Sequence, residues 1–137
     1  MKPVNLPRPL VNRILSLAQG SPDKEICGLV SQRNDQTLHC IPVTNVAEHP
    51  ERLFTMDPAQ QIEAMRHMRE QGEALFAIYH SHPTGPAEPS STDIELAGYP
   101  EVLQLIVSLN TKGVLELTGY RFEKGEAVAM HLEILED

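Results

Sequence analysis

Apolar positions change period several times along the chain, and each change marks an element. In residues 9–19, Leu10, Ile14 and Leu17 share one face with Val11, Leu15 and Ala18 beside them, the spacing of an amphipathic helix. Gly20 and Pro22 stop it. Residues 26–32 (ICGLVSQ) and 37–44 (TLHCIPVT) read as strands about an Arg-Asn-Asp turn. Residues 53–55 offer a short third strand. Asp57-Pro58 is a helix start, an N-cap followed by proline at the first helical position; that helix should run to about residue 71 and end at Gly72. Residues 74–79 are apolar and β-compatible and lead straight into His80. Residues 83–89 hold three prolines and a glycine and form a loop, and residues 92–97 open another helix. Residues 102–109 are nearly all apolar, as in a central strand buried on both faces. Residues 114–122 and 127–134 alternate and predict an antiparallel pair turned at Lys124-Gly125. The pattern sums to about six strands and three helices, a mixed α/β (α+β) sandwich formed as one domain over residues 1–137.

Composition narrows the class. The chain is 41% hydrophobic and only 4% aromatic, with no Trp, so the core should be aliphatic. The formal charge is −8, from 11 basic and 19 acidic residues, which opposes a phosphate backbone and argues against nucleic acid as a partner. No apolar run reaches the ~20 residues needed to cross a bilayer, and the N-terminus lacks an export signal; the expectation is a cytoplasmic protein with no membrane partner. Cys27 and Cys40 are too few for a disulfide framework and read as reduced, small hydrophobes.

One stretch does not read as scaffolding: HSHPTGPAEPSSTD, residues 80–93. His80 and His82 are two apart, so an extended strand puts both on one face and turns Ser81 away. Pro83 ends that strand. Asp93 returns a hard oxygen donor from the start of the next helix. Two imidazoles and one carboxylate leave a fourth position free for water, the open arrangement of a catalytic rather than a structural zinc site. A hydrolase built on such a metal also needs a carboxylate base that is not a ligand, and Glu25, at the head of the ICGLV strand, is available. It needs a donor for a developing oxyanion, and Ser90 is placed for that.

Each member also has an ordinary reading. A His-x-His pair at a strand end can be surface composition. Ser90-x-x-Asp93 matches a helix capping box. Glu25 alone suits a solvated strand edge. His39, His49, His67 and His131 look incidental. The combination carries the argument.

That combination resembles the JAMM motif of the MPN-type zinc metalloproteases: Glu25, then His80-Ser81-His82-Pro83, then Ser90 and Asp93. Lys24-Glu25-Ile26-Cys27-Gly28-Leu29 is similar to the Glu-x-Cys-Gly segment of small bacterial members, and Asn45-Val46-Ala47, Arg52-Leu53-Phe54 and Asp57-Pro58 resemble their connecting region. The resemblance spans residues 7 to about 120. It implies a curved mixed sheet flanked by helices, akin to the cytidine deaminases. It implies one Zn²⁺ per chain on His80, His82 and Asp93, with Glu25 activating water and Ser90 stabilising the oxyanion. It further implies cleavage of the amide or isopeptide bond after the C-terminal Gly-Gly of a ubiquitin-like protein. In small members without the long insertions of eukaryotic deubiquitinases, that partner is a sulfur carrier, and the product is cysteine or a peptide.

Three other readings compete. A zinc deaminase needs His-x-Glu and a downstream Pro-Cys-x-x-Cys, and neither is present. A DNA-repair-associated relative shares Thr84-Gly85 and Pro89-Ser90, but the acidic charge opposes DNA. A non-catalytic MPN scaffold would lose metal ligands, and here all are retained.

Overall fold

The computed structural model describes residues 2–95, 102–109 and 115–136. In chain order its elements are β1 (Val4–Pro7), α1 (Arg8–Gln19), β2 (Cys27–Gln32), β3 (Leu38–Val43), α2 (Pro58–Glu70), β4 (Ala74–His82), α3 (Ser91–Glu95), β5 (Leu103–Ser108), β6 (Glu116–Glu123), β7 (Glu126–Met130) and β8 (Leu132–Leu135). Six strands form one sheet in the order β3-β2-β4-β5-β6-β7, and β1 pairs with β8 in a second, two-stranded sheet. The β4–β5 pairing is parallel. The other neighbours in the large sheet are antiparallel, so it is mixed.

The two long helices cover opposite faces of the large sheet. Leu10, Val11 and Ile14 of α1 pack with Val30, Ala77, Tyr79, Leu103 and Leu105. Met68 of α2 packs with Cys27, Leu29, Val43, Met56 and Ile78. Strand alternation divides β4 between these two cores: Ala77 and Tyr79 look toward α1, Ile78 toward α2. His80 and His82 follow in register with Ile78, so the pleat delivers both to the α2 face. β5 is buried along its whole length, as its apolar run requires of a central strand.

Local signals work as the sequence implies. Asp57 Oδ1 accepts the backbone N–H groups of Ala59 and Gln60 at 2.9 and 3.2 Å, capping α2. Gly72, at φ +70°, follows its last turn. Lys124 and Gly125, with φ of 52° and 78°, turn β6 into β7. Both cysteines are free, with Cys27 buried and Cys40 half-buried.

Three expectations need correction. β1 is a strand that the sequence pattern did not suggest; only pairing with the distant β8 makes it one. The final alternating run, 127–134, breaks at His131, and its second half leaves the large sheet to pair with β1. Residues 53–55 form no strand; this segment is a loop joined to residue 45 through an isolated Asn45–Met56 bridge. β4 runs through His82 and ends before Pro83, as the sequence implies. The expected continuation of α3 to residue 97 lies outside the described residues.

Candidate metal centre

β4 carries the two histidines because its hydrogen bonding continues to its end. His80 pairs with Cys27 on β2 on one side, and His80 and His82 pair with Ile106 and Ser108 on β5 on the other. The strand is therefore extended where the i, i+2 argument needs it. His80 Nε2 and His82 Nε2 lie 3.0 Å apart. Asp93 Oδ2 is 3.2 Å from the first and 3.1 Å from the second. Neighbouring ligands on a tetrahedral ion with bonds of about 2.0–2.1 Å sit about 3.3 Å apart, so this triangle matches one face of such a polyhedron.

The proton inventory points the same way. His82 Nδ1 donates to the Pro86 carbonyl at 2.8 Å, which fixes the neutral ring with a bare lone pair on Nε2. Asp93 Oδ2 is an acceptor too. When that ring is neutral, two lone pairs face each other at 3.1 Å, and a proton on Nε2 or a metal ion relieves the contact. Burial lowers the His82 pKa, but the carboxylates of Asp93 and Glu25 and the Pro86 carbonyl raise it overall. Burial holds His80 below its ordinary value and favours the neutral imidazole that a metal ion would need. Burial also opposes ionisation of Asp93, yet its hydrogen bonds to His80, His82 and the Ser90 N–H win and hold its carboxyl well below the usual range.

Asp93 comes back to the histidines through a loop anchored at several points. Ser108 Oγ donates to the Gly85 carbonyl at 2.7 Å. Thr118 Oγ1 and Tyr120 Oη both donate to the Ala87 carbonyl, at 2.5 and 3.2 Å. The Leu109 N–H donates to the His82 carbonyl at 3.1 Å. At the start of α3 the Ser90 N–H donates to Asp93 Oδ2 at 2.9 Å, and the Asp93 N–H to Ser90 Oγ at 3.0 Å. The capping box expected at these positions is therefore formed. It does not consume the Ser90 hydroxyl proton, because the hydroxyl is the acceptor in it.

Glu25 is not on a solvated edge. It is 5% exposed, just before β2, with a carboxylate oxygen within 4.8 Å of ring nitrogens of His80 and His82. Its Oε1 has no hydrogen-bond partner among the described residues. Burial, offset in part by His82 and reinforced by Asp93, raises its pKa from 4.5 to about 7. A buried carboxylate poised near neutrality beside two inward-facing imidazoles is suited to accept a proton. The structure thus brings Glu25, His80, His82 and Asp93 together at one spot and puts Ser90 at its rim through the Asp93 cap.

The sequence reading placed Ser81, Asn45 and Phe54 in the resemblance but gave them no role in holding these groups. Ser81, turned away from the face of the two histidines, accepts the Ile26 N–H on its Oγ at 2.9 Å. The Phe54 ring stacks on His80 with centroids 4.4 Å apart. Asn45 bonds four backbone groups around Glu25 and Phe54. None of these has a spacing signal, since each acts across distant sequence positions.

The chain is similar to several known proteins. A family described as prokaryotic homologs of the JAB domain matches residues 7–120, and the chain belongs to that family. It is 31% identical over 129 residues to the CysO-cysteine peptidase of Mycobacterium tuberculosis, covering 93% of this chain and 88% of that protein. It is 36% identical over 92 residues to a probable TtuB-protein conjugate cleaving protease of Thermus thermophilus, covering 67% of this chain and 62% of that one. The solution structure of protein DSY2949 from Desulfitobacterium hafniense superposes with a TM-score of 0.84 at 28% identity, over 98% of this chain and 94% of that chain.

Proposed function

We propose that the protein is a zinc-dependent peptidase that hydrolyses the amide bond after the C-terminal Gly-Gly of a ubiquitin-like sulfur carrier protein, releasing cysteine or a peptide. The observation that carries the reading is the triangle of His80 Nε2, His82 Nε2 and Asp93 Oδ2, 3.0–3.2 Å on each side, with Glu25 beside it, its Oε1 without a hydrogen-bond partner among the described residues. The relatives named for CysO-cysteine and for TtuB-protein conjugates support the substrate class.

In this reading His80, His82 and Asp93 hold one Zn²⁺ per chain. Bound there, zinc lowers the pKa of a water toward about 7 and polarises the scissile carbonyl. Glu25 accepts the proton of the attacking water on its carboxylate and returns it to the leaving amine. Ser90 donates its hydroxyl proton to the carbonyl oxygen as negative charge develops there. Two ligand sets fit the donors by distance, one with Asp93 and one with Glu25. Asp93 is favoured because it is the closer and stays ionised, whereas Glu25 is driven toward protonation.

The test is incubation of the purified chain, with zinc and with chelator, with carrier–cysteine and carrier–peptide fusions, reading product masses. Cleavage after the second glycine, lost with chelator, is expected. A Val in place of the terminal glycine should abolish it. Products cut elsewhere, or turnover that survives chelation, would overturn the reading.

A further inference from the structure

We infer that Asn45 and Phe54 are positioning residues for this centre: Asn45 ties the Glu25 backbone to the peptide groups flanking Phe54, and the Phe54 ring sets the plane of His80. The inference rests on the reading above for what the centre does, but not for how it is held.

Three facts converge. First, the two histidines are held differently. A ligating imidazole ordinarily has its second nitrogen fixed by a hydrogen bond. His82 has this from the Pro86 carbonyl. His80 is buried, and its Nδ1 has no partner among the described residues. Its ring is instead stacked on Phe54, at 4.4 Å between centroids and 23° between planes. A face-on aromatic contact restrains the ring where no acceptor does.

Second, Phe54 sits on a loop outside any regular element, so something must fix its height over His80. Asn45 Nδ2 donates to the Leu53 carbonyl at 2.9 Å, and Asn45 Oδ1 accepts the Thr55 N–H at 3.0 Å. One carboxamide therefore grips the backbone on both sides of Phe54. Its Oδ1 also accepts the Ala47 N–H at 3.0 Å.

Third, the same Nδ2 donates to the Glu25 carbonyl at 3.0 Å. The Glu25 N–H donates to Pro50 on the same loop at 2.7 Å, and the next N–H, of Ile26, goes to Ser81 Oγ. The backbone around Glu25 is tied down, while its carboxylate Oε1 has no partner among the described residues. Asn45 thus joins Glu25 to the backbone beside Phe54: its Nδ2 bonds both the Glu25 and Leu53 carbonyls, and its Oδ1 holds the far side of Phe54.

That asymmetry supplies the test. Asn45→Asp keeps an acceptor for the Ala47 and Thr55 N–H groups but replaces the donor to Glu25 and Leu53 with an oxygen. Zinc affinity of the full chain, read by competition with a chromophoric chelator and with no substrate present, should weaken about tenfold, the low end for partners of metal ligands. On a carrier fusion, kcat should fall by about 10²-fold with KM within about threefold, since a general base held out of place loses transition-state stabilisation rather than binding. Phe54→Leu reads the same link from its other end without touching the loop's hydrogen bonds: zinc affinity should weaken, and Phe54→Tyr should restore it. Gln60→Ala is the control. Gln60 bonds Thr44 at the base of the same loop through both its amide atoms and touches neither Glu25 nor Phe54 by hydrogen bond, so it should lower thermal stability and leave zinc affinity and kcat unchanged. Wild-type zinc affinity in a folded Asn45→Asp or Phe54→Leu chain would overturn the inference. Equal losses in Gln60→Ala would do the same. Absence of turnover in the wild type would sink the peptidase reading alone, because the zinc comparison needs no substrate.

Discussion

Ser81 and Ile26 are joined twice: the Ile26 N–H donates to Ser81 Oγ at 2.9 Å, and the Ser81 N–H donates to the Ile26 carbonyl at 3.1 Å. The residue between the two histidines therefore clamps the chain next to Glu25 from the opposite face of β4. Ser81 is fully buried. Ser81→Ala removes the side chain that accepts the Ile26 N–H. The expected cost is about 1–3 kcal/mol of stability, the usual range for a buried donor left unpaired, measured by urea denaturation. Activity should fall through kcat with little change in KM. An unchanged unfolding midpoint would mean that water replaces the hydroxyl and the clamp carries no weight.

Glu25 and His82 should separate base from ligand. Glu25→Gln keeps size but cannot take a proton, so kcat should drop by about 10²–10⁴-fold while bound zinc stays near one per chain. His82→Ala should lose zinc and activity together. Elemental analysis beside kcat for both variants decides it. Loss of zinc from Glu25→Gln would make Glu25 a ligand and displace Asp93 from that role.

The raised Glu25 pKa makes a pH prediction for the metal-free chain. Its folded value, about 7, lies above its ordinary 4.5, so folding favours the protonated form. The stability this contributes is fully present below pH 4.5, is lost as pH rises toward 7, and is flat above. Glu25→Gln has no such group. The wild type should therefore lose stability relative to Glu25→Gln between pH 4.5 and 7. Asp93 works in the opposite sense, with stability lost as pH falls, but it is present in both chains and leaves the comparison largely intact. Chemical denaturation of both chains at steps across this window is the measurement; parallel curves would count against the buried, unpartnered carboxylate.

Gly28 should tolerate no side chain. A Cβ there would meet the Tyr79 hydroxyl end and come within 2.5 Å of the Ile41 carbonyl oxygen, with backbone on one side that cannot yield. Gly28→Ala should cost at least the 1–3 kcal/mol typical of overpacking, seen as a lower melting temperature. Tyr79→Phe in the same chain should recover part of the loss. Full stability of Gly28→Ala would show that β3 can move away from β2.

The sequence by itself determined what depends on near neighbours. Period-two spacing put His80 and His82 on one face, and Asp57-Pro58, Gly72 and Lys124-Gly125 set a helix start, a helix end and a hairpin, because caps and turns are decided by backbone geometry within a few residues. Glu25, His80, His82, Ser90 and Asp93 were also legible, but as a pattern of residue types whose assembly the spacing could not supply. Tertiary structure decided the rest. It buried Glu25, which composition would leave on a wet edge, and thereby raised its pKa. It made a strand of β1, which has little pattern alone, and took β8 out of the large sheet to pair with it. It also set Ser81 against Ile26, Phe54 against His80 and Asn45 against Glu25, contacts spanning 55, 26 and 20 positions. No local period encodes such contacts, since they arise only when the sheet registers β2 against β4 and the loop closes over both.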